Sequence, residues 1–307
     1  MQRTPPFRSF SSIFFLLALT FTTVPADPGS PGPPSSVQLR SGNVVNTSLA
    51  PFGPGGRGRT GSTDPASFKV LQLNLCNSGF AGCFRNGDSI PEGGKLIYHS
   101  GANVLTINEI CSDDVAVLQP YLAEAWPADY TYSAFMPAID KGMNSVYKCK
   151  NGFSYGSVVM GRVAATQWSS FTAYGGEYTS QDSGNEGRIF VCAHAAGDHF
   201  ACTTHLSAKT ETVALAQCKA LTLDAVPYLK GLSGASGRTV IGGDFNLEYD
   251  TTDLENVQNC VPNGYTRKGD GDVQHVIFSN DLHFGSRKAF GLRYTDHDGF
   301  LVTLTSA

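Results

Sequence analysis

Short apolar runs of strand length recur through residues 68–307, and they constrain the fold more than any other feature. In the first run, Leu71, Leu73 and Leu75 alternate with polar residues, which is the period of a half-buried strand. Further runs occupy 103–109, 156–162, 188–194, 199–206, 238–244, 273–279 and 298–304. Helical patterns stand at 208–229 and after Ser112, which resembles an N-cap. The pattern predicts two packed β-sheets with helices outside them.

Residues 1–26 have the pattern of a secretory signal peptide. Arg3 and Arg8 precede an apolar run over 13–21, and small residues lead up to Ala26. The run is too short to span a membrane. We therefore predict cleavage near Ala26 and a secreted, extracellular protein without stable membrane insertion. A buried strand or an uncleaved anchor is the alternative.

Residues 27–67 are rich in Pro, Gly and Ser, and this composition predicts a disordered leader because little apolar area is available for burial. The segment contains the glycosylation sequon at Asn46, which should be accessible there. Residues 68–307 contain no second linker and are predicted to form one catalytic domain.

The predicted domain is acidic. Five of the 22 basic residues and two of the 26 acidic residues precede Phe68, which leaves a net charge of −7 on the remainder. Charge alone makes such a domain a poor polyanion binder. An enzyme of this charge that acts on phosphates would need a divalent cation to supply positive charge.

The even number of cysteines, eight, predicts disulfides in a secreted chain. Local spacing favours Cys76–Cys83 across a short loop and Cys192–Cys202 across a hairpin. The sequence does not determine the other pairings. Zinc binding is the competing interpretation, but paired CxxC or HxxxH spacing is missing.

Polar residues lie at the ends of several apolar strands, and the last two precede the final strand. They are Asn74, Glu109, His205, Asp244, Asn246, Asp296 and His297. One strand-end Asp or His is usually a cap or a turn residue. Together, carboxylates, amides and two imidazoles are what a hard-cation phosphoesterase needs, because oxygen ligands hold Mg²⁺ or Mn²⁺ and a base activates water.

The motifs LQLNLC, INEI, TTHL, GGDFN and TDHDGF, in this order, resemble the endonuclease/exonuclease/phosphatase superfamily over nearly all of 68–307. The resemblance implies the deoxyribonuclease-I-like α/β (α+β) fold, a four-layer sandwich of two packed, mainly antiparallel sheets flanked by helices. It implies Mg²⁺ (or Mn²⁺) at Glu109, assisted by Asn74 and Asp296.

The same resemblance implies roles for the other motif residues. Asp244 and Asn246 would lie at the scissile phosphate, with Asp244 orienting or deprotonating the water. His205 and His297 would form the histidine pair. The glycines of GGDFN are expected to let the backbone approach the phosphate closely.

The sequence also departs from the family pattern. Gln274 stands where an Asp usually orients the C-terminal His, and Asp272 is a candidate substitute. Tyr155 stands near a position where some deoxyribonucleases have Glu, and it could donate to the phosphate. Arg188 could reach a phosphate or pair with Glu186.

The leading prediction is a secreted, divalent-metal-dependent phosphodiesterase, an endonuclease acting on DNA or RNA as a monomer. Against this stands the absence of a Lys/Arg run. Four scattered lysines predicted in loops could line a cleft: Lys141, Lys148, Lys150 and Lys268. Alternatives are a sphingomyelinase-type enzyme, a phosphomonoesterase, a genotoxin-like protein with partner subunits, and a non-catalytic binding domain.

Overall fold

A computed structural model describes residues 32–51 and 67–306. The predicted signal peptide and its cleavage site lie outside these described residues. Two seven-stranded β-sheets, a small three-stranded sheet and several helices occupy the described part of the chain.

The first large sheet, here sheet A, is mainly antiparallel. Its order is β1 (Val37–Leu39), β9 (Phe171–Tyr178), β11 (Ile189–Ala195), β12 (His199–His205), β13 (Thr239–Asp244), β15 (Gln274–Ser279) and β14 (Tyr265–Gly269). The central pair β12 and β13 is parallel, with His205 opposite Asp244. Both residues therefore leave the sheet at the same end.

The second large sheet, sheet B, repeats this arrangement. Its order is β16 (Leu282–Phe290), β17 (Gly299–Ser306), β3 (Ser67–Asn74), β4 (Val104–Cys111), β8 (Tyr155–Ala164), β5 (Asp129–Pro137) and β2 (Val45–Leu49). The central pair β3 and β4 is parallel. The small sheet contains β10 (Glu186–Gly187), β6 (Ile139–Asp140) and β7 (Ser145–Val146).

The two sheets pack face to face through small apolar side chains. Fully buried Val70 and Val104 of sheet B share a core with Val240 and Val276 of sheet A. The first two helices, α1 (Ser89–Ser100) and α2 (Asp114–Ala125), cover the outer face of sheet B. The outer face of sheet A is covered by α3 (Glu211–Lys219), a π-helical stretch (Ala220–Ala225) and α4 (Val226–Ser233). The predicted four-layer sandwich is confirmed.

The N-terminal segment differs from its predicted disorder. Residues 37–39 pair with β9 as strand β1, and residues 45–49 pair with β5 as strand β2. A short 3-10 turn, Ser41–Asn43, joins them, and Val37 is buried. The sequence does not predict these strands, because Pro- and Gly-rich residues flank them. They also have no core of their own and form by pairing with the edges of existing sheets. Asn46 of the sequon is exposed.

The helices correct two further expectations. The sequence analysis did not predict helix α1, because Pro91, Gly93 and Gly94 are poor helix formers and interrupt its periodicity. Helix α2 begins at Asp114 rather than just after Ser112, and the Asp114 carboxylate accepts a hydrogen bond from the Cys111 N–H at 2.7 Å. The helix predicted for 208–229 is continuous over 211–233.

Four disulfides cross-link the described part of the chain, and one of them, Cys192–Cys202, joins the paired strands β11 and β12. The predicted pairs Cys76–Cys83 and Cys192–Cys202 are confirmed, and Cys111–Cys149 and Cys218–Cys260 complete the set. The last pair attaches α3 to a 3-10 turn, Val257–Cys260. In the residues described, none of the helices has the length and apolar character that crossing a membrane requires.

Candidate active site

The predicted site residues come together where the parallel strands of both sheets end. Asn74 ends β3 and Glu109 lies near the end of β4, while His205 and Asp244 end β12 and β13. His297 precedes β17, which pairs with β3. The carboxyl ends of parallel strands meet at one edge of a sheet, so the two packed sheets place two pairs of polar residues opposite each other.

Asp244 occupies the centre of this cluster. The Asn74 Nδ2 group donates to Glu109 Oε1 at 2.8 Å and to Asp244 Oδ2 at 3.0 Å. His297 Nε2 lies 3.4 Å from Asp244 Oδ2. His205 Nε2 lies 3.9 Å from both the Glu109 and the Asp244 carboxylates. One carboxylate oxygen of Asp244 thus faces an amide and two imidazoles.

Unusual backbone angles direct two of these side chains. Glu109 has a φ of 57° and Asn246 a φ of 49°, both in the left-handed region. The register of β4 against β8 shifts between Ile107 and Ile110, so Glu109 lies in a bulge. Such conformations cost about 1–3 kcal/mol each and cluster at functional sites. The Asn246 N–H donates to Asp244 Oδ1 at 3.1 Å, which fixes the other carboxylate oxygen.

The glycines before Asp244 are required by packing. A Cβ on Gly242 would lie 2.3 Å from Thr106 Oγ1 in the facing sheet. A Cβ on Gly243 would lie 2.2 Å from the Thr204 carbonyl oxygen on the neighbouring strand. Both glycines lie inside β13 and are buried. Gly242 thus allows close approach of the two sheets, and Gly243 allows close approach of β12 and β13.

Asn108 is a positioning residue that the sequence analysis missed. Its Nδ2 group donates to Ser157 Oγ at 3.1 Å and to the Thr204 carbonyl at 3.0 Å. Its Oδ1 accepts from the Asp244 backbone N–H at 3.0 Å. The side chain is fully buried and links both sheets to the backbone of Asp244. The available signal was a polar residue inside an apolar strand, directly before Glu109.

One side of the cluster is enclosed. Arg188 is only 8 % exposed, and its Nη1 lies 2.8 Å from Glu186 Oε1. Both residues line, with Tyr155 and His205, a cavity of about 10 Å³. That volume has room for about one water molecule. The Arg188 Nε is buried and has no hydrogen-bond partner within the described residues.

Burial sets the protonation of this enclosed side. Burial, reinforced by the charges of Glu186 and Asp244, raises the pKa of Glu109 to about 7. Burial also raises the pKa of Tyr155 well above its usual range, so its hydroxyl stays a donor. The pKa of His205 is lowered well below its usual range by burial and by Arg188, which favours the neutral imidazole.

The other side of the cluster is open to solvent. The Asp296 side chain is 59 % exposed and that of His297 21 %, against 2 % for Asp244. A cleft of about 500 Å³ opens beside Asn246, lined by polar residues such as Lys209 and Thr210. Pockets of this volume hold small organic ligands. Of the cluster residues, Asn246 alone lines this cleft, so the cleft adjoins the cluster at Asn246 and not at Asp296 or His297.

Neither of the two residues considered as partners of His297 contacts it in the described part of the chain. Gln274 Nε2 donates to the Asp298 carbonyl at 2.7 Å and to Asp270 Oδ2 at 3.3 Å, not to the imidazole. Asp272 is exposed and does not substitute. The carboxylates nearest His297 Nε2 are those of Asp244, at 3.4 Å, and Asp296, at 3.9 Å.

The donor set fits a hard divalent cation. Glu109 and Asp296 offer carboxylate oxygens, the atoms that Mg²⁺ and Mn²⁺ prefer. Two buried carboxylates, Glu109 and Asp244, share the single Asn74 amide, and burial raises the pKa of each. A cation would relieve that cost. The Asn74 Oδ1 accepts from the Cys76 N–H at 3.1 Å, so its nitrogen faces the carboxylates.

The lysines that could line a cleft differ in their contacts and positions. Lys141 Nζ donates to the Asp182 carbonyl, and Lys148 Nζ donates to Ser154 Oγ at 3.3 Å. Lys268 lies on β14 rather than in a loop. Two of these cations are thus engaged locally.

No family model and no curated protein matches the sequence. Solved structures match by fold. An endonuclease/exonuclease/phosphatase from Beutenbergia cavernae has 15% identity and a TM-score of 0.55, over 79% of this chain and 72% of that one. A mannosyl-6-phosphatase from Bacteroides thetaiotaomicron has 14% identity and a TM-score of 0.51, over 78% and 99%. TDP2 of D. rerio, complexed with a single strand DNA product, has 11% identity and a TM-score of 0.51, over 78% and 99%.

These similarities establish the fold of the chain. Its two large sheets with flanking helices are those of the endonuclease/exonuclease/phosphatase, or deoxyribonuclease-I-like, class. At such identities the comparison speaks for architecture alone. The chemistry has to be argued from the residues at the strand ends.

Proposed function

We propose that the protein is a secreted, divalent-metal-dependent phosphodiesterase that hydrolyses nucleic acid. The observation that carries the proposal is Asp244, whose two oxygens are fixed separately. The Asn246 N–H holds Oδ1, while Oδ2 faces Asn74 and His297. A buried carboxylate held in this way, with its pKa raised by burial, is suited to orient and deprotonate water.

The remaining residues complete a hydrolytic site. Glu109 and Asp296 would hold Mg²⁺ or Mn²⁺, which supplies charge neutralisation at the phosphate. Asn74, predicted to assist as a ligand, directs its Nδ2 at the carboxylates and would orient Glu109 and Asp244 instead. Asn246 would donate to a phosphoryl oxygen from the open side. His297, partly exposed beside Asp244, would protonate the leaving oxygen. His205, neutral and enclosed, would donate a hydrogen bond to the phosphoryl group.

Two enclosed residues would support the bound phosphate. Arg188 carries a buried positive charge beside Glu186 and influences both Glu109 and Asp244. Tyr155 keeps its proton and can donate. Their place on the enclosed side supports a role in phosphate binding.

Secretion and substrate class form the finer part of the proposal. The four disulfides support an extracellular location. Among the fold relatives, one was solved with a single strand DNA product, which supports nucleic acid, and one is a mannosyl-6-phosphatase, which supports a phosphomonoester. The open cleft beside Asn246 favours a substrate larger than a free phosphate ester.

The test uses the oxidised full-length protein after secretion, with Mg²⁺ or with EDTA. Supercoiled plasmid, single-stranded RNA, sphingomyelin vesicles and a phosphomonoester are incubated in parallel. Metal-dependent cleavage of a nucleic acid, lost in His205→Ala but kept in His283→Ala, is expected. Release of phosphocholine or free phosphate alone would overturn the nucleic-acid substrate. If no assay detects a product, the proposed hydrolase is wrong and the non-catalytic binding domain is the alternative that remains.

A further inference from the structure

The two large sheets end side by side in strands that carry positive charge. Strand β14 is an edge strand of sheet A, and β16 is an edge strand of sheet B. Their sequences, YTRKG and LHFGSRKAF, contain four Lys or Arg and no carboxylate, although residues 68–307 are acidic overall. We call this surface the basic edge. Its residues are Tyr249, Arg267, Lys268, Phe284, Arg287, Lys288 and Phe290.

Direct contacts join the two strands into one surface. The Lys268 Nζ lies 4.3 Å from the centre of the Phe284 ring, across from one sheet to the other. The Arg287 Nη1 donates to the Gly269 carbonyl at 2.6 Å. A substrate that contacts β14 therefore meets β16 as well. The sequence does not predict this shared surface, because about 20 residues separate the two pairs of cations along the chain.

The cations of this surface lack acidic partners. In the part of the chain that the structure describes, no carboxylate oxygen lies within 4.0 Å of the charged nitrogens of Arg267, Lys268, Arg287 or Lys288, whereas Arg162, Arg188 and Arg238 form such pairs. Burial lowers the pKa of Arg267, and the nearby charge of Arg287 contributes to the shift. Like charges held together without a counter-ion attract an anion.

Exposed aromatic rings alternate with these charges. Tyr249 is 53% exposed and Phe284 41%. Arg267 lies 4.3 Å from the centre of the Tyr249 ring, and Lys288 Nζ lies 4.5 Å from that of Phe290. Cations that follow a backbone, interleaved with rings on which bases can stack, are typical of single-stranded nucleic-acid binding. A duplex keeps its bases stacked inside and would use the charges alone.

The basic edge leads to the candidate active site. Gly269 of β14 pairs with His275, next to Gln274, which pairs with Asp244. Adjacent strands lie about 4.8 Å apart, so Gly269 is roughly 10 Å from Asp244 across the sheet. On sheet B, Phe290 pairs with Gly299, two residues after His297. A strand lying along the edge would reach the site within a few nucleotides.

From these contacts we infer that the basic edge binds single-stranded nucleic acid and guides it to the strand ends that carry Asp244 and His297. The inference rests on the proposed nucleic-acid hydrolysis for its functional meaning, but binding is measurable without it. The competing explanation is that the lysines and arginines only protect exposed sheet edges from pairing with other chains.

Binding is measured by fluorescence anisotropy of labelled oligothymidylate, with full-length protein that carries Asp244→Asn to prevent cleavage. The test variant adds Lys268→Gln, Arg287→Gln and Lys288→Gln. Its affinity should fall at least about tenfold at low salt, and the slope of log K against log salt should decrease by about 2, at roughly 0.7 per lost contact. The matched control, Lys95→Gln with Lys219→Gln, changes exposed helical lysines and should bind normally.

Stacking is tested separately by Phe284→Ala, which keeps every charge. Oligothymidylate affinity should fall about tenfold and duplex affinity should change little. Equal losses for duplex and single strand would overturn the single-strand inference. Binding of phosphatidylserine vesicles through the same residues, without oligonucleotide binding, would overturn it as well.

A small diester separates this inference from the proposed function. With Asp244 intact, the triple Gln variant should hydrolyse bis(p-nitrophenyl) phosphate at the normal rate but cleave oligonucleotides more slowly. If the unmodified protein cleaves neither substrate yet binds oligonucleotide through the edge, the function fails and the binding surface stands. If the triple variant aggregates but binds oligonucleotide normally, the edge is protective only and the inference is wrong.

Discussion

The two sides of the candidate active site differ in how they hold charge. On the enclosed side, Arg188 and His205 are buried, the Glu109 side chain is 17% exposed, and the three interact with each other. On the open side, Asp296 is 59 % exposed and faces water. Charges in a dry region depend strongly on their partners, whereas exposed charges are screened. Changes on the enclosed side should therefore affect stability, and changes on the open side should affect function alone.

The largest effect is expected at Asp244, which lies on the boundary between the two sides. Asp244→Asn keeps the shape but removes the base, so kcat should fall by about 10³-fold with the fold intact. Steady-state kinetics and circular dichroism check this. Asp250→Asn, an exposed neighbour, should leave kcat unchanged. A normal rate in Asp244→Asn would remove the residue from the mechanism.

The second largest effect is expected on stability, from removal of a charge on the enclosed side. Arg188→Gln leaves Glu186 buried beside an uncharged group, and the free energy of unfolding should fall by about 3–5 kcal/mol. Urea unfolding measures it. The matched control is Arg293→Gln, whose side chain is 78% exposed and paired with Glu92, and whose loss should change the free energy of unfolding far less. Equal costs would contradict the difference between the two sides.

A buried histidine near the site, His275, should make the free energy of unfolding depend on pH. Burial lowers the pKa of His275 to about 3, from an ordinary value near 6.5. Between these values the unfolded chain binds the proton first, so stability is lost as pH falls from about 6.5 towards 3. The free energy of unfolding, relative to His275→Gln, should fall by up to about 1.4 kcal/mol per pH unit. A flat difference across this range would show that His275 is not buried as a neutral group.

The smallest effect is expected on the open side. Asp296→Asn should change the free energy of unfolding by less than about 0.5 kcal/mol, because the residue is exposed. Its affinity for Mn²⁺, measured by calorimetry, should fall about tenfold if Asp296 helps to hold the cation. Asp298→Asn is the control beside it. A loss of stability without a change in Mn²⁺ binding would assign Asp296 a structural role.

The sequence predicts the centre of the sandwich better than its edges. Buried strands such as β3 and β13 show apolar periodicity because both sheets cover them. Strand β16 is exposed along most of its length, so its sequence lacks this signal. Strands β1 and β2 form only because β9 and β5 offer free edges. Pairing of this kind depends on residues far away in the chain.

The site shows the same division. Asn74, Asp244 and His297 were predictable because they lie at the ends of apolar strands, and the structure brings them together. The function of Asn108 was not, because hydrogen bonds to both sheets appear only once the sheets pack. The sequence likewise left the partner of His297 open, and the structure shows that Gln274 donates to the Asp298 carbonyl.

The strands β1 and β2 decide where the gene should be cut for laboratory production. A truncated protein that starts at residue 68, as composition suggests, would lose one strand from each sheet and expose the backbone of β9 and β5. Exposed edges of this length recruit other chains. A recombinant protein should therefore begin no later than residue 33, and insolubility of a shorter version would reflect lost edges rather than a poor catalytic domain.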